Sequence, residues 1–364
     1  MQPGALRRAE AGRAGRPDRE WSGVGGKVVL FRVDAARETG LGHLMRCLAL
    51  AEEFADRGWS VAFAGNLDRD ACGRIARAGV GLWAASTGEG EERLLVSAAE
   101  GLGPAVLVVD TYVLGDEYFL WAARPIPVVV AVDDVGYSPP GARVLINYGP
   151  AASRLGYRVR PETHYLLGPR YALLPRTLRA RGPRQVRREV SHILVTVGGS
   201  DPNRLLPRIL AGLQRAGVGA RWDVVLGPGV VGEMGVPDCG RDPRVRFHEA
   251  LPSLHPLLQE SDLVVCAAGV TACEAAAAGT PAILLVQAHN QKPNAQELAA
   301  LGAAVNLGWG PDVTPEAVAE AVLRLARDWE ARRKMSKEGR ALFDGYGPAR
   351  CADAIEGVLK RVGG

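Results

Sequence analysis

Short aliphatic runs alternate with amphipathic stretches from residue 27 onward. Residues 27–33 form the first such run, and their β-branched composition is typical of a strand buried on both faces. Residues 44–56 place apolar side chains at helical spacing, and Gly58 follows as a stop signal. Further strands are predicted at residues 61–64, 105–109, 128–132 and 144–146, with a helix at 69–77. Strands that alternate with helices predict parallel βαβ units.

The pattern breaks between residues 174 and 190, where six arginines and two prolines occur. This composition predicts a linker, and an arm that binds phosphate or RNA is the alternative for the arginines. A second series follows, with strands predicted at 192–197, 223–226, 245–247, 263–266 and 282–286. Helices are predicted at 202–214, 271–278, 293–301, 314–327, 330–343 and 348–361.

The chain is therefore predicted to consist of two similar α/β halves, and its 364 residues suffice for about two domains. Residues 1–26 contain hardly any bulky apolar side chain, so we expect a disordered extension there. The boundaries predicted after it are a first domain at 27–175, a linker at 176–190, a second domain at 191–345 and a C-terminal helix at 346–364.

Composition and charge narrow the range of functions. The chain is 47% hydrophobic, as globular proteins are, and its net charge of +4 is too small to predict a nucleic-acid surface. It lacks a run of about 18 apolar residues, so we expect no membrane insertion. The six cysteines show no CxxC spacing and the six histidines show no HxxxH or HxH. We therefore expect a reduced, cytoplasmic compartment and neither metal nor other cofactor.

A glycine turn, Gly40-Leu41-Gly42, follows the first predicted strand and leads into the first helix. Glycines let a backbone approach a ligand, and the free amides of a helix start bind anionic oxygens. His43 comes next, on the first helical turn, where the helix dipole favours a neutral imidazole that can act as a general base. The alternative is a histidine that only caps the helix.

A second glycine turn, Gly198-Gly199-Ser200-Asp201, precedes Pro202. Ser200 or Asp201 is predicted as the N-cap of a helix, with Pro202 at the first helical position. Such a turn can hold a phosphate through its backbone amides, or it can be a tight connection.

A third group of candidates lies around two later strand ends. Gly269 follows one strand, and Thr271 and Glu274 stand three residues apart at a helix start, as in a capping box. Glu274 can instead accept hydrogen bonds from ribose hydroxyls while the helix start faces a diphosphate. Asn290 and Gln291 would suit a sugar or base, or form only a polar loop.

Both halves thus place a glycine turn and hydrogen-bonding side chains at the carboxyl ends of strands, where open α/β sheets bind their ligands. Two such edges that face each other form a cleft suited to a nucleotide-sugar, with the diphosphate on helix starts and the sugar between the domains. The sequence contains no Walker A, HExxH or GxSxG motif that would indicate another chemistry.

Over residues 27–345 the chain resembles the PseG hydrolases of pseudaminic acid biosynthesis, which act on UDP-2,4-diacetamido-2,4,6-trideoxy-β-L-altropyranose, and the related spore-coat polysaccharide proteins called SpsG. The specific part is an Arg-x-Asp motif followed by GxGHxxR, whereas the later motifs are shared more loosely with glycosyltransferases of the MurG type. The motifs are Phe31-Arg32-Val33-Asp34, Gly40 to Ala51, Val109-Asp110-Thr111-Tyr112, Asp133-Asp134, Leu167 to Leu174, Gly198 to Asp201, Gly269 to Glu274 and Asn290-Gln291. The chain departs from the family at residues 175–178, where an Arg would follow Leu174.

The resemblance implies an α/β GT-B fold, in which two Rossmann-like domains face each other across a cleft and the second holds UDP. It implies His43 as the base that activates water, Asp34 as its positioning neighbour and Tyr112 in the sugar pocket. The residues implied to bind UDP or the sugar are Gly42, Arg46, Gly198, Gly199, Ser200, Gly269, Thr271, Glu274, Asn290 and Gln291.

The activity implied is inverting, metal-independent hydrolysis of a UDP-activated deoxy-diacetamido sugar to free sugar and UDP, in pseudaminic acid or surface polysaccharide biosynthesis. One alternative is a MurG-like glycosyltransferase that hands the sugar to an acceptor. Another is a protein that binds a nucleotide-sugar without catalysis. The UDP-sugar is the expected partner, nucleic acid is not expected, and the chain is expected to be a monomer.

Overall fold

The computed structural model of the protein describes residues 27–35, 41–85, 98, 100–179, 182–227, 229–230, 242–249 and 251–363. These residues form two parallel β-sheets flanked by helices. The extension predicted at 1–26 lies outside the described residues.

The strands of the first sheet are rich in valine, leucine and isoleucine, and those at its centre are buried from end to end, as both faces are covered. They are β1 Val28–Val33, β2 Ser60–Gly65, β3 Gly81–Ala85, β4 Val106–Asp110, β5 Val128–Val132, β6 Val144–Asn147 and β7 His164–Leu167. Their order across the sheet is β3-β2-β1-β4-β5-β6-β7, with every pairing parallel. This order places the ends of β1, β4, β5 and β6 side by side at one edge.

Helices α1 Gly42–Asp56, α2 Arg69–Arg77 and α3 Asp116–Ala122 belong to this domain. The apolar stripe of α1, which includes Leu44, Cys47 and Phe54, packs on the face of the sheet formed by Phe31 and Val33.

The second sheet has the same design. Its strands are β8 His192–Thr196, β9 Arg221–Leu226, β10 Val245–Glu249, β11 Leu263–Ala267, β12 Ala282–Val286 and β13 Val305–Trp309, in the parallel order β10-β9-β8-β11-β12-β13. The helices that follow along the chain are α4 Leu205–Ala216, α5 His255–Glu260, α6 Val270–Ala278, α7 Gln291–Ala300, α8 Pro315–Arg327, α9 Trp329–Leu342 and α10 Gly347–Val362.

The sequence pattern does not predict five of the elements, which are β3, β7, β13, α3 and α5. These elements are short, or they contain polar residues that obscure the periodicity of the apolar positions. One predicted boundary is wrong, because α4 begins at Leu205 and not at Pro202. The Asp201 carboxylate accepts hydrogen bonds from the amides of Leu205 (2.8 Å) and Leu206 (2.9 Å). Arg204 precedes the helix in a left-handed conformation at φ 50°, which holds Pro202 outside it.

The segment between the sheets is held against both domains. Arg176 pairs with Asp56 of α1 at 2.5 Å, and Arg184 donates to the backbone carbonyl of Ala278 at 3.0 Å. Arg188 stacks on Trp329, its guanidinium carbon 3.9 Å from the ring centroid. These described arginines have partners within the chain, so a free arm for phosphate or RNA finds no support.

The last helix returns to the first domain. Within α10, Asp353 pairs with Arg57 at 2.7 Å, and Glu356 accepts a hydrogen bond from the Trp59 indole at 2.9 Å. Ile355 and Val358 of the same helix are buried in the core that includes α1. The C-terminus therefore covers the first domain after the chain has completed the second.

Candidate active site

A cavity of about 510 Å³ lies between the carboxyl ends of the two sheets. The first domain lines it through the start of α1 and the loops after β4, β5 and β6, and the second domain through the loops after β8, β11 and β12. The predicted residues that line it are Gly42, His43, Arg46, Tyr112, Gly198, Gly199, Ser200, Gly269, Thr271, Glu274, Asn290 and Gln291. Asp34 is the predicted residue that is not among them.

His43 is held by a carboxylate that the sequence did not single out. Its Nδ1 lies 2.5 Å from Oδ1 of Asp110, the last residue of β4. A carboxylate only accepts hydrogen bonds, so a neutral imidazole here carries its proton on Nδ1 and keeps Nε2 as a proton acceptor. His43 is only 7% exposed, yet it lines the cavity, and its buried neighbours are polar. This arrangement suits a general base.

Arg46 supports the same carboxylate one helical turn further along α1. It donates through Nε to Oδ2 of Asp110 at 2.5 Å, through Nη2 to Oδ1 at 2.6 Å, and through Nη1 to Asp134 at 3.0 Å. Burial by itself would raise the pKa of Asp110, but the charge of Arg46 and the hydrogen bonds from Arg46 and His43 hold that pKa below its ordinary value. Arg46, predicted to bind substrate, is committed to these carboxylates and keeps Asp110 ionised.

The predicted pairing of Asp34 with His43 is wrong. Successive side chains of a strand point to opposite faces of the sheet, and Val33 of β1 lies in register with Asp110. Asp110 therefore points to the face that α1 covers, whereas Asp34 points away from it. The Asp34 carboxylate binds Arg32 at 2.6 Å and the Thr111 hydroxyl at 2.5 Å instead.

Tyr112 closes the first-domain side of this cluster. Its ring stands edge-on to that of His43, with centroids 4.7 Å apart, and its hydroxyl donates to the Asp134 carboxylate at 2.7 Å. Burial and the charge of Asp134 raise the pKa of this hydroxyl, so it remains a donor. Asn290 of the second domain donates to the same hydroxyl at 3.2 Å. Tyr112 thus bridges the two domains next to the imidazole.

Two helix starts meet in the cavity. A Cβ on Gly42, the first residue of α1, would lie 3.7 Å from Cγ2 of Val270, the first residue of α6. Neither helix has an N-cap side chain that bonds its amides, nor an acidic residue in its first turn. Two positive dipole ends, whose first amides have no capping side chain among the described residues, therefore lie close together, which is unfavourable unless an anion lies between them.

Polar loops of the second domain complete this anion-binding region. The side-chain oxygen of Gln291 accepts a hydrogen bond from the backbone amide of Gln287 at 2.9 Å. The side-chain nitrogen of Gln291 lies near Gly269, 3.5 Å from the position that a Cβ on this glycine would take. Gln287 in turn donates to the Ser200 carbonyl at 2.9 Å and so ties the turn at 198–200 to the end of β12. Gly198 takes φ +89° in that turn, a conformation that glycine adopts at little cost.

Glu274 does not cap its helix. The N-cap of α6 is Gly269, so Thr271 and Glu274 are the second and fifth helical residues, and the capping-box alternative is wrong. Oε1 of Glu274 lies 3.5 Å from Nε2 of His255, and both residues line the cavity.

The far end of the cavity, next to the ends of β9 and β10, is more apolar. Val225, Leu226, Leu251 and Leu254 line it, and Arg74 of α2 reaches the Leu251 carbonyl at 3.5 Å. Flat aromatic groups such as nucleobases favour a surface of this kind.

The part of the chain that the structure describes has no helix with the length and apolar composition needed to cross a bilayer. No three His, Cys, Asp or Glu side chains cluster as metal ligands among those residues.

Two Rossmann-like domains whose strand ends face each other across this cleft define an α/β protein with the GT-B fold. Solved structures agree: MurG of Acinetobacter baumannii matches 91% of this chain and 99% of its own, with a TM-score of 0.59 and 17% identity. Spinosyn forosaminyltransferase SpnP matches 92% of this chain and 99% of its own, with a TM-score of 0.64 and 20% identity.

Sequence comparison matches the second domain to a known domain family. Residues 192–344 match the model of the glycosyltransferase family 28 C-terminal domain. The spore coat polysaccharide biosynthesis protein SpsG of Bacillus subtilis (strain 168) is 28% identical over 218 residues, which are 59% of this chain and 64% of that protein. The chain thus spans less than two thirds of that relative's length.

A second curated relative is similar over more of its length. The UDP-N-acetylglucosamine–N-acetylmuramyl-(pentapeptide) pyrophosphoryl-undecaprenol N-acetylglucosamine transferase of Methylibium petroleiphilum is 27% identical over 88% of this chain and 96% of that protein.

Proposed function

We propose that the protein is a UDP-sugar glycosyltransferase of the MurG type. A hydroxyl of an acceptor would attack the anomeric carbon of the sugar, and UDP would leave. The observation that carries this proposal is the meeting of two uncapped helix starts beside a histidine held by a buried carboxylate. A diphosphate leaving group needs the first feature, and the attacking hydroxyl needs the second.

The cavity offers a separate place for each part of a UDP-sugar. The starts of α1 and α6 and the turn at 198–200 suit the diphosphate, Glu274 suits the ribose hydroxyls, and the apolar end near Leu251 suits the base. The sugar would then lie next to His43 and Tyr112. The family 28 match to residues 192–344 and the transferase from Methylibium support a UDP-sugar as the donor.

The geometry favours direct displacement with inversion. His43 would take the proton of the attacking hydroxyl on Nε2 while Asp110 stabilises the imidazolium that forms. The base belongs to the first domain, whereas the loops that suit the diphosphate belong mainly to the second, so nucleophile and leaving group would lie on different sides of the sugar. Backbone amides would stabilise the negative charge that develops on UDP.

Hydrolysis of the UDP-sugar is the second candidate, with water as the nucleophile. Tyr112 favours it, because this side chain stands edge-on to the imidazole and reaches Asn290 across the cleft. A bridge at that place leaves more room for water than for a large acceptor. The GxGHxxR motif, in which the chain resembles the PseG hydrolases, points the same way.

Product analysis separates the two candidates. Purified protein is incubated with UDP-N-acetylglucosamine or with a UDP-diacetamido-trideoxyhexose, with and without bacterial lipid and polysaccharide fractions, and UDP, free sugar and glycosylated products are quantified. Transfer predicts that UDP release requires an acceptor and matches the glycosylated product. Equal amounts of UDP and free sugar without acceptor would establish hydrolysis and overturn transfer.

His43→Ala tests whether the imidazole is the base. We expect kcat to fall by about 10²-fold or more, the usual contribution of a general base, with little change in the affinity for UDP. His289→Ala is the matched control, since His289 is exposed and stacks on Trp309. A loss of UDP affinity in His43→Ala would make His43 a phosphate contact, unchanged turnover would show that His43 is not the base, and an absence of turnover in the wild type would favour a non-catalytic binding protein.

A further inference from the structure

The linker between the domains reaches the Glu274 side of the cavity. Thr177 lies in a single helical turn, Arg176–Leu178, which is anchored by the buried side chain of Leu178. The Thr177 hydroxyl lies 2.6 Å from Nδ1 of His255, the first residue of α5. The other ring nitrogen of His255 faces Glu274 at 3.5 Å. Thr177, His255 and Glu274, which come from three separate segments of the chain, therefore lie in a row, with His255 in the middle.

The protons in this line have one consistent arrangement for a neutral imidazole. The Glu274 carboxylate can only accept, so Nε2 of His255 carries the ring proton and Nδ1 presents its lone pair. The Thr177 hydroxyl then donates to Nδ1 and fixes this tautomer. The Thr177 hydroxyl thus donates to the ring, and the Nε2 proton of the ring faces the Glu274 carboxylate at 3.5 Å.

This line restricts a side chain that would otherwise be free to rotate. Glu274 is on the fifth residue of α6, too far along the helix to bond the amides at its start, and its side chain is only 12% exposed. Fixing one carboxylate oxygen with His255 leaves Oε2, which has no hydrogen bond from the described residues, to accept from a ligand. Two adjacent hydroxyls match such an acceptor.

We propose that Thr177 and His255 position Glu274 to receive the ribose hydroxyls of the nucleotide, so that the linker contributes to the selection of ribose over 2′-deoxyribose. The inference rests on the proposed function, because Glu274 meets a ribose only if a nucleotide-sugar occupies the cleft. Thr177 and His255 are positioning residues, since they act through the carboxylate.

Binding of UDP and 2′-deoxy-UDP, measured by titration calorimetry, tests this directly. The variants are Thr177→Val, which keeps the shape and removes the hydroxyl, Thr177→Ser, which keeps the hydroxyl, and His255→Leu. Wild type is expected to bind UDP about 10-fold more tightly than 2′-deoxy-UDP, the difference expected for one hydrogen bond to a charged group. Thr177→Val and His255→Leu are expected to reduce that ratio to about 3-fold or less, and Thr177→Ser to retain it.

Each other outcome overturns the inference. If Thr177→Val weakened the binding of UDP and 2′-deoxy-UDP equally, the variant would have lost packing without an effect on ribose selection. If Thr177→Ser lowered the preference for UDP as much as Thr177→Val does, the hydroxyl would be excluded as the cause. Wild type that binds UDP without preferring it to 2′-deoxy-UDP refutes the inference and leaves the proposed function intact. Wild type that binds neither nucleotide refutes both. Thr177 is exposed, so its variants are expected to keep the wild-type melting temperature, which is measured alongside.

Discussion

At the scale of single residues, the capacity of His43 to accept a proton depends on a fully buried carboxylate. Asp110 is 0% exposed and remains charged because Arg46 and His43 both contact it. Arg46 is almost as deeply buried, so each charge compensates the other. His43, Arg46 and Asp110 thus form a network centred on Asp110, whose replacement removes a partner from both of the others.

Asp110→Asn therefore tests the network as a whole. We expect a loss of about 3–5 kcal/mol in the free energy of unfolding, because the buried guanidinium of Arg46 loses a charged partner. The measurement is urea denaturation at neutral pH. Asp110→Asn combined with Arg46→Met should recover most of the loss, since no unpaired charge remains buried. A single variant as stable as wild type would show that this ion pair contributes nothing.

The same carboxylate gives a pH dependence of known sign. The folded pKa of Asp110 lies below its ordinary value, so its contribution to stability is complete above the unfolded pKa of about 4 and is lost as the pH falls below that value. The difference in free energy of unfolding between wild type and Asp110→Asn should accordingly shrink between pH 5 and pH 3 (roughly one unit either side of that pKa). Denaturation curves at several pH values measure this difference in the free energy of unfolding. A difference that grows as the pH falls would contradict the lowered pKa of Asp110.

At the scale of elements, helix starts shape the site. Those of α1 and α6 have no capping side chain among the described residues, whereas the Asp201 carboxylate accepts hydrogen bonds from the first amides of α4. This carboxylate reaches its helix from the far end of the turn at 198–200, so the same residue that starts α4 fixes the shape of the glycine turn. We therefore expect the stability of the protein and the proposed binding of a nucleotide to be coupled at this turn.

Replacement of Asp201 should reveal that coupling. Asp201→Ala is expected to destabilise the protein by about 1 kcal/mol, the usual contribution of an N-cap side chain, and also to weaken UDP binding. Asp201→Asn keeps an acceptor oxygen and should remain close to wild type in both measurements, which are thermal melting and calorimetric titration. If Asp201→Asn were as damaging as Asp201→Ala, the charge and not the cap would be what matters.

At the scale of the whole molecule, the two domains touch at one flank of the cleft and are joined by the final helix. Arg154 of the first domain pairs with Glu297 of α7, and the Ala151 amide donates to Asn294 at 3.2 Å. A Cβ on Gly149 would lie 2.5 Å from Oδ1 of Asn294, so a larger residue there would displace the Asn294 side chain.

The return of α10 to the first domain predicts where the C-terminus matters for folding. Ile355 is fully buried in this contact, so Ile355→Ala is expected to lower the free energy of unfolding by about 2–5 kcal/mol. Val362 of the same helix is 43% exposed, and Val362→Ala should change the free energy of unfolding by less than about 0.5 kcal/mol. Chemical denaturation followed by circular dichroism measures both variants, and equal effects of the two would refute the contact.

Local periodicity was enough to predict most strands and helices, because a buried parallel strand and an amphipathic helix leave a pattern within a few residues. The ranges 69–77, 128–132 and 282–286 agree with the structure end to end. The same pattern missed β7 and β13, whose side chains are only partly buried. It also started α4 too early, since a proline after an aspartate is equally typical of a turn.

For the site, the sequence by itself determined that glycine turns and polar side chains follow the strands, and thereby that His43 and Glu274 each lie at the carboxyl-end edge of a sheet. Which carboxylate serves His43 was decided by the tertiary structure. Asp34 and Asp110 both end central strands, and only strand register and the side of the sheet that α1 covers select Asp110. Thr177 and His255 lie 78 residues apart, and such long-range contacts leave no local pattern, because they arise when separate elements pack.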